Sequence, residues 1–380
     1  MPSLTGMRVC HVTSNHPAED DRIFFKEARS LARAGADVTL LCSDVTRAPV
    51  DTFGIKYATY PGGGSIRRRL ITIGELEKAL MSSEFDVIHC HEPDALVAAL
   101  RVKAARSVKV IFDSHEMWGA TLAQRFPSWM WGGVEGAFRA VERRWLAKCD
   151  WGLGATWRIS DYLAESLGRD KVATILNVPD TKLFALPVRK TWDGEITFCH
   201  DGHLNFDRGL VTMVEAFRLV STRHNVRFKI VGDVYARERE WLDQVIEKYG
   251  LQGKIVRTGW LPYKEVGAAL APCHIGLIAL TRRPNNEYSL PNKLFNYLLY
   301  GMPFIGPEFC FDQRALVERN MCGRLVDPSN VGAFAEAMSW FVENRKTAQE
   351  MGDMAGSASA NEYTWEHMEA RLLDVYARMQ

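Results

Sequence analysis

A chain of 380 residues exceeds one typical core, so its length predicts two domains. With 47% hydrophobic and 24% charged residues the composition is that of an ordinary globular protein, and a net charge of +1 offers no global field for nucleic acid. Eight scattered cysteines without a Cys-x-x-Cys exclude a disulfide framework and fit a reducing cytoplasm. The first residues lack a basic region and a long apolar run, so no signal peptide is expected. No run of about 18 apolar residues suggests a membrane span.

Short apolar runs alternate with helical patterns from the start. Residues 8–12 predict a strand, 22–34 a helix stopped at Gly35, and 37–42 and 86–90 strands. A helix is expected over about 94–106, a strand at 109–113, a helix at 134–148, and strands at 151–154 and 172–176. Residues 179–194, with Pro179, Pro187 and Gly194, read as a linker. The alternation then restarts with a strand at 196–200, a helix near 209–223, a strand at 227–231 and a helix near 236–249. Strands at 254–257, 274–278, 304–305 and 323–326 follow, with helices near 263–271, 312–319, 330–343 and 364–379. This pattern implies α/β architecture, two Rossmann-like αβα domains whose parallel strands end at a central cleft.

Polar clusters fall just after the predicted strands, where open parallel sheets bind ligands. Thr13 to Arg22 follow the first strand; they also read as a helix-capping segment, with Asp20 or Asp21 as the cap. No dinucleotide fingerprint is present, because Gly152-Leu153-Gly154 has Trp157 where the third glycine belongs. His91-Glu92 and His115-Glu116 end two further strands. Neither the helical His spacing of a metalloprotease nor a dense ligand cluster is seen, so no metal and no cofactor is expected.

The second half carries two cations at predicted helix starts. Arg208-Gly209 follows a Gly-containing loop from His200 to Asp207, and Lys293 follows Pro291, placed in a first helical turn. A cation there opposes the helix dipole unless an anion is bound, and the pair suggests a diphosphate.

These segments resemble the retaining, two-domain GT-B glycosyltransferases of family four. The likeness is carried by Asp86-Val87-Ile88-His89-Cys90-His91, Asp113-Ser114-His115-Glu116, Ile175-Leu176-Asn177-Val178-Pro179, Ile230-Val231-Gly232-Asp233, Thr258-Gly259 and the run from Pro291 to Pro303. It implies an acceptor-side domain at 1–178, a linker at 179–194, a nucleotide-sugar domain at 195–360, and a last segment at 361–380 returning to the first domain.

The resemblance implies transfer of a sugar from a UDP- or GDP-linked donor, without metal. Arg208 and Lys293 would bind the diphosphate, and His115 would contact the transferred sugar as a catalytic group. Gly202, His203, Gly232, Asp233, Gly259, Glu287, Tyr288, Ser289, Leu290, Pro291 and Asn296 would complete the donor side. Asn15, His16, Asp21, Arg22, His91, Glu92 and Trp118 would face a saccharide or lipid-linked acceptor. The chain departs from the family where a pair of glutamates is usual: Tyr288 and Asn296 stand there, with Glu287 one place off, and His203 replaces a common arginine.

Trp118, Phe126, Trp129 and Trp131 precede Arg139, Arg143 and Arg144, and Arg67 to Arg69 form a second basic run. Aromatics beside arginines suit an anionic membrane surface, giving a peripheral protein at the inner face of the membrane. A packed helical hairpin with a solvated basic face accounts for the same residues. The missing glutamates also leave room for a nucleotide-sugar epimerase of the same fold, or for a non-catalytic nucleotide-sugar binder. An epimerase would need Glu92, Asp113 or Glu116 as its base.

Overall fold

The computed structural model describes residues 2–46, 48, 51–62, 66–183 and 190–380, with only the backbone described at 66–70 and 263–264. Part of the predicted linker, 184–189, and the side chains of Arg67 to Arg69 lie outside the described residues. The chain divides into two compact units. The first comprises 1–176 and 366–380, and the second comprises 177–365.

Unit 1 holds a seven-stranded sheet. Its strands are β1 (Arg8–Val12), β2 (Asp37–Cys42), β3 (Lys56–Thr59), β4 (Val87–Cys90), β5 (Lys109–Ser114), β6 (Trp151–Gly154) and β7 (Val172–Thr174). All pairings are parallel, in the order β3-β2-β1-β4-β5-β6-β7. Unit 2 holds β8 (Ile196–Asp201), β9 (Val226–Val231), β10 (Ile255–Arg257), β11 (Ile275–Leu277), β12 (Phe304–Pro307) and β13 (Gly323–Val326). These too are all parallel, in the order β10-β9-β8-β11-β12-β13. Continuous apolar runs form these strands because helices cover a parallel sheet on both faces. In unit 2 the core packs Phe198, Phe217, Phe228, Phe334 and Phe341 between sheet and helices.

Both sheets reverse strand order next to their first strand, at β1/β4 and at β8/β11. Loops leaving the carboxyl ends of such a pair diverge and open a crevice. The polar segments after β1, β4 and β8 stand at these two points.

Several helices differ from the sequence expectation. Residues 22–34 form a π-helical segment, Asp21–Ala28, followed by a short α-helix, Arg29–Arg33. Asp20 caps it, accepting from the N–H groups of Arg22 and Ile23, both at 2.9 Å. Pro291 is extended, with φ −73° and ψ 148°, so it precedes the helix Asn292–Leu299 rather than forming its first turn. Helices Ile66–Met81, Trp157–Leu167 and Arg345–Glu362, and strand β3, were not expected. Among the described residues no helix is long and apolar enough to cross a membrane. All eight cysteines are free and buried.

Gly209 joins the turn Phe206–Arg208 to the helix Leu210–Val220 at φ 83°. A Cβ there would stand 2.0 Å from the carbonyl oxygen of Ala279. Both the conformation and the space exclude a side chain. Gly209→Ala should therefore destabilise unit 2 by at least about 2 kcal/mol. A thermal melt checks this: a midpoint equal to wild type would show that the loop relaxes freely.

Candidate functional site

In unit 2 the chain turns at Gly202, φ 86°, immediately after buried His200 and Asp201 of β8. A Cβ on Gly232 would lie 2.4 Å from the carbonyl oxygen of Gly202, so the loops after β8 and β9 meet backbone to backbone. Gly202 N–H donates to Val231 C=O at 2.7 Å, and Gly232 N–H donates to Thr258 Oγ1 at 3.1 Å. Thr258 Oγ1 in turn donates to the carbonyl of Gly259 at 2.8 Å.

Lys293 enters this place from the second position of helix Asn292–Leu299. Its Nζ lies 2.8 Å from His200 Nε2 and 3.9 Å from where a Cβ of Gly202 would stand. As an ammonium it donates to His200 Nε2, which leaves Nδ1–H of His200 to donate to Leu277 C=O at 3.3 Å. Burial lowers Lys293 most, Asp201 raises it and Arg208 lowers it again, giving a pKa of about 7. Burial and the neighbouring cations likewise keep His200 neutral.

Arg208 is exposed and closes the short turn Phe206–Arg208 rather than starting a helix. Its Nη1 donates to His203 C=O at 3.0 Å, and Asn205 Oδ1 accepts from its backbone N–H at 2.9 Å. His203 is exposed and lies flat against Tyr235, with 5.5 Å between ring centroids.

Asn296, where the family resemblance leads one to expect a glutamate, donates Nδ2–H to Asp201 Oδ2 at 2.7 Å. A carboxylate is therefore present at this point, on β8 instead of on the helix. Burial raises its pKa, against the bond from Asn296 and the charge of Lys293. His200, Asp201 and Tyr297, whose hydroxyl accepts from Asp201 N–H at 3.1 Å, were not singled out from the sequence. The available signal was two polar residues closing an otherwise apolar strand.

The other predicted donor residues turn to protein partners. Glu287 Oε1 accepts from Arg282 Nε at 3.1 Å, Asp233 Oδ1 from Arg239 Nη2 at 2.9 Å, and Ser289 C=O from Gln313 Nε2 at 3.1 Å. Tyr288 packs on Phe311 at 5.8 Å, and Leu290 is buried.

In unit 1, Arg22 and Asp113 form a buried, bidentate pair, Nε to Oδ2 at 3.0 Å and Nη2 to Oδ1 at 2.8 Å. Arg22 Nη1 donates to Ile175 C=O at 2.6 Å. Burial alone would raise Asp113; Arg22 and His115 outweigh it and hold the carboxylate well below its ordinary range. Arg22, expected at the acceptor, is thus turned inward and only 4% exposed, because a buried carboxylate requires a partner. His91 and Glu92 are buried as well. Glu92 accepts from Thr13 Oγ1 at 2.7 Å and from Ser14 N–H at 2.8 Å. Of that acceptor set Asn15 is exposed, while His16, Asp21 and Trp118 are half-buried.

His115 Nε2 sits 3.0 Å from Asp113 Oδ2 and 3.1 Å from His91 Nδ1. His16, paired with Asp20 at 2.9 Å, meets the His115 ring edge-on at 5.0 Å. Asp113, His115 and His16 are therefore brought together. The absence of a dense ligand cluster does not hold in the fold: His11, Glu27, His89 and His91 gather in the interior of unit 1. Parallel register does this, since His11 and His89 are direct partners on β1 and β4.

Residues 22–183 match the family model of Glycosyltransferase Family 4, and residues 195–344 match that of Glycosyl transferases group 1. The chain belongs to the family 4-like GT-B glycosyltransferases. This glycosyltransferase resembles, at 13% identity and a TM-score of 0.79, a sucrose-phosphate synthase from Thermosynechococcus elongatus, over 98% of this chain and 99% of that one. HepE of Anabaena, solved with UDP and glucose, aligns at 13% identity with a TM-score of 0.72, over 98% and 100%. The lipopolysaccharide outer core galactosyltransferase WaaB aligns at 13% with 0.69, also over 98% and 100%. At such identities the likeness shows the fold. No curated protein sequence matches the chain.

The three carboxylates considered as an epimerase base are engaged: Asp113 by Arg22, Glu92 by Thr13 and Ser14, and Glu116 Oε2 by Thr121 Oγ1 at 2.7 Å. Removing the Arg22 clamp should leave a buried charge unpaired. Arg22→Met is expected to cost about 3–5 kcal/mol in urea unfolding, with Arg22→Lys losing less. A loss below about 1 kcal/mol for Arg22→Met would mean that Asp113 is neutral in the folded chain.

Proposed function

We propose that this protein is a retaining, metal-independent hexosyltransferase. It would move a sugar from a nucleoside-diphosphate sugar to a hydroxyl acceptor in surface polysaccharide or glycoconjugate synthesis. The observation that carries the reading is the meeting of Lys293 with the Gly202 and Gly232 loops, with Arg208 near enough to lower the Lys293 pKa. Bare backbone at Gly202 and Gly232 lets a diphosphate approach closely. When the bond from the sugar to the phosphate breaks, negative charge grows on the leaving diphosphate. Two fixed cations offset it, the electrostatic contribution that is usually largest in such sites. They serve in place of a metal at that position. The UDP held by HepE supports a UDP-linked donor over a GDP-linked one.

Asp201 supplies the carboxylate that the helix lacks and suits a donor hydroxyl, with Asn296 orienting it. His115, oriented by Asp113, is the group the family resemblance assigns to the transferred sugar. A non-catalytic binder would bind donor without turnover, which product analysis with a saccharide acceptor distinguishes.

Donor binding tests the diphosphate assignment. A UDP- or GDP-sugar should raise the melting midpoint of wild type, and Lys293→Ala or Arg208→Ala should remove the rise. Bound phosphate stabilises the ammonium and raises its pKa above 7. Binding therefore takes up a proton above pH 7, and affinity falls by up to about tenfold per pH unit there. Calorimetry in buffers of different ionisation heat measures that uptake. Wild-type donor affinity in both alanine variants would refute the assignment.

The acceptor we infer is a lipid-linked saccharide reached at the inner face of the membrane. Trp129 is 83% exposed just before helix Trp131–Leu146, Phe126 is exposed three residues earlier, and Arg144 is exposed in the last turn of that helix. Some of the basic face is used internally: Arg139 pairs with Glu135 at 2.6 Å and Arg143 with Glu165 at 2.6 Å. Wild type should co-sediment with anionic vesicles at low salt, and Trp129→Ala should lose most of that binding. Equal sedimentation with neutral vesicles, or none at all, would leave a soluble acceptor as the better reading.

A further inference from the structure

The proposed transfer makes no use of the imidazole stack inside unit 1. His11 on β1, His89 and His91 at the end of β4, and Glu27 from the π-helical segment Asp21–Ala28 are all 0% exposed. One ligand atom from each lies within 4.8 Å of the others. The rings stack, with 4.4 Å between the centroids of His11 and His89 and 4.7 Å between those of His89 and His91. π-Helical turns are rare and recur at functional sites.

Four polar atoms in this cluster lack a hydrogen bond of ordinary geometry. His11 Nε2, His89 Nε2 and both carboxyl oxygens of Glu27 have no hydrogen-bond partner. Glu27 Oε1 is 2.9 Å from Arg22 Nε, but that N–H is directed at Asp113 Oδ2. His89 Nε2 and Glu27 Oε2 stand 3.8 Å apart, too far for a hydrogen bond. Each unsatisfied buried group costs about 1–3 kcal/mol, so several at one point need an explanation.

The opposite ring nitrogens are already held. Tyr376 Oη lies 2.8 Å from His89 Nδ1, and His91 Nε2 lies 3.0 Å from His11 Nδ1. If both Nδ1 atoms carry the proton, both Nε2 lone pairs point into the cluster. That is the arrangement of ligating histidines, whose second nitrogen is oriented by a neighbouring group. Burial keeps the imidazoles neutral, the form that ligates, and burial together with Asp113 raises Glu27.

We propose that His11, His89 and Glu27 bind one divalent transition-metal ion, with His91 beside them as a third imidazole that holds His11 Nδ1–H in place. Two imidazoles and one carboxylate suit zinc and its first-row neighbours rather than magnesium or calcium. Bonds of about 2.0–2.1 Å require the ligand atoms to draw in by roughly an ångström. The ion enters as the dication, Glu27 loses its proton to solvent, and no bond within the chain breaks. The site ties β1 and β4 to the turn carrying Arg22, which clamps Asp113 and so holds His115. Its role is to position that histidine, and no step of the transfer passes through the ion.

The test uses the full chain, purified without a metal-binding tag after growth with added zinc. Mass spectrometry of the desalted protein should find close to one zinc per chain. After chelator stripping, added zinc should raise the melting midpoint by about 5–10 °C. Added cobalt should give the visible absorption of a tetrahedral or five-coordinate site. Glu27→Gln keeps the shape of the neutral acid; it should melt near the stripped wild type and show neither zinc retention, midpoint rise nor cobalt spectrum. Wild type carrying under about a tenth of an ion per chain with no response to zinc or cobalt would overturn the proposal, leaving a buried water as the partner of the orphaned atoms. Undiminished binding by Glu27→Gln would overturn it equally.

Discussion

A parallel sheet whose strand order reverses beside its first strand cannot close over that point. The crossovers leave on opposite faces, and the loops at the strand ends part. Both sheets of this glycosyltransferase are wound this way, at β1/β4 and at β8/β11. Everything chemical in the chain follows from what fills those two places.

The two fillings are opposite in kind. In unit 2 side chains are withheld: Gly209 and Gly232 leave backbone where a Cβ would collide, Gly202 turns at φ 86°, and Lys293 reaches in from the neighbouring helix. Lys293 pays for this position with a pKa near 7. The field there is unsatisfied by protein alone and favours an anion. In unit 1 the space is packed with imidazoles and closed by the Arg22–Asp113 pair. Its charges cancel internally, so only its rim, at His16, His115 and Asn15, is available to a neutral, hydroxyl-bearing partner. The proposed transfer, with its charged donor and uncharged acceptor hydroxyl, is consistent with these two environments.

Most strands were legible because burial on both faces makes them short apolar runs; β3, only half-buried, was not, and Arg208 closes a turn instead of opposing a helix dipole. Helix Arg345–Glu362 was not legible either, for a physical reason. It buries Ala348, Gly352, Ala355 and Ser359, a stripe of small residues with little apolar contrast. A Cβ on Gly352 would lie 2.6 Å from the carbonyl oxygen of Gly301, so the stripe serves close approach. Arg22, His91 and Glu92 were assigned to a ligand by their place after a strand. The order of residues did not reveal that Asp113, far along the chain, would draw Arg22 inside. The pairing of His11 with His89 is equally a matter of register, which becomes visible only when β1 lies against β4.

The same distinction bears on the glutamate that this helix lacks. Read along the helix, Asn296 is a loss of charge from the donor side. Read across the fold, Asn296 and Asp201 are partners at 2.7 Å, and a glutamate at 296 would set two carboxylates against each other in a buried place. Such a pair cannot remain doubly ionised without a large shift of one member. The amide is therefore the residue that Asp201 requires, just as Asp201 is the carboxylate that Lys293 requires, since it is the largest influence raising the pKa of that lysine. In this chain the carboxylate beside the lysine is carried by the strand end and not by the helix. That places the charge on β8, where the backbone is held by sheet register and by the Tyr297 hydroxyl on the Asp201 N–H.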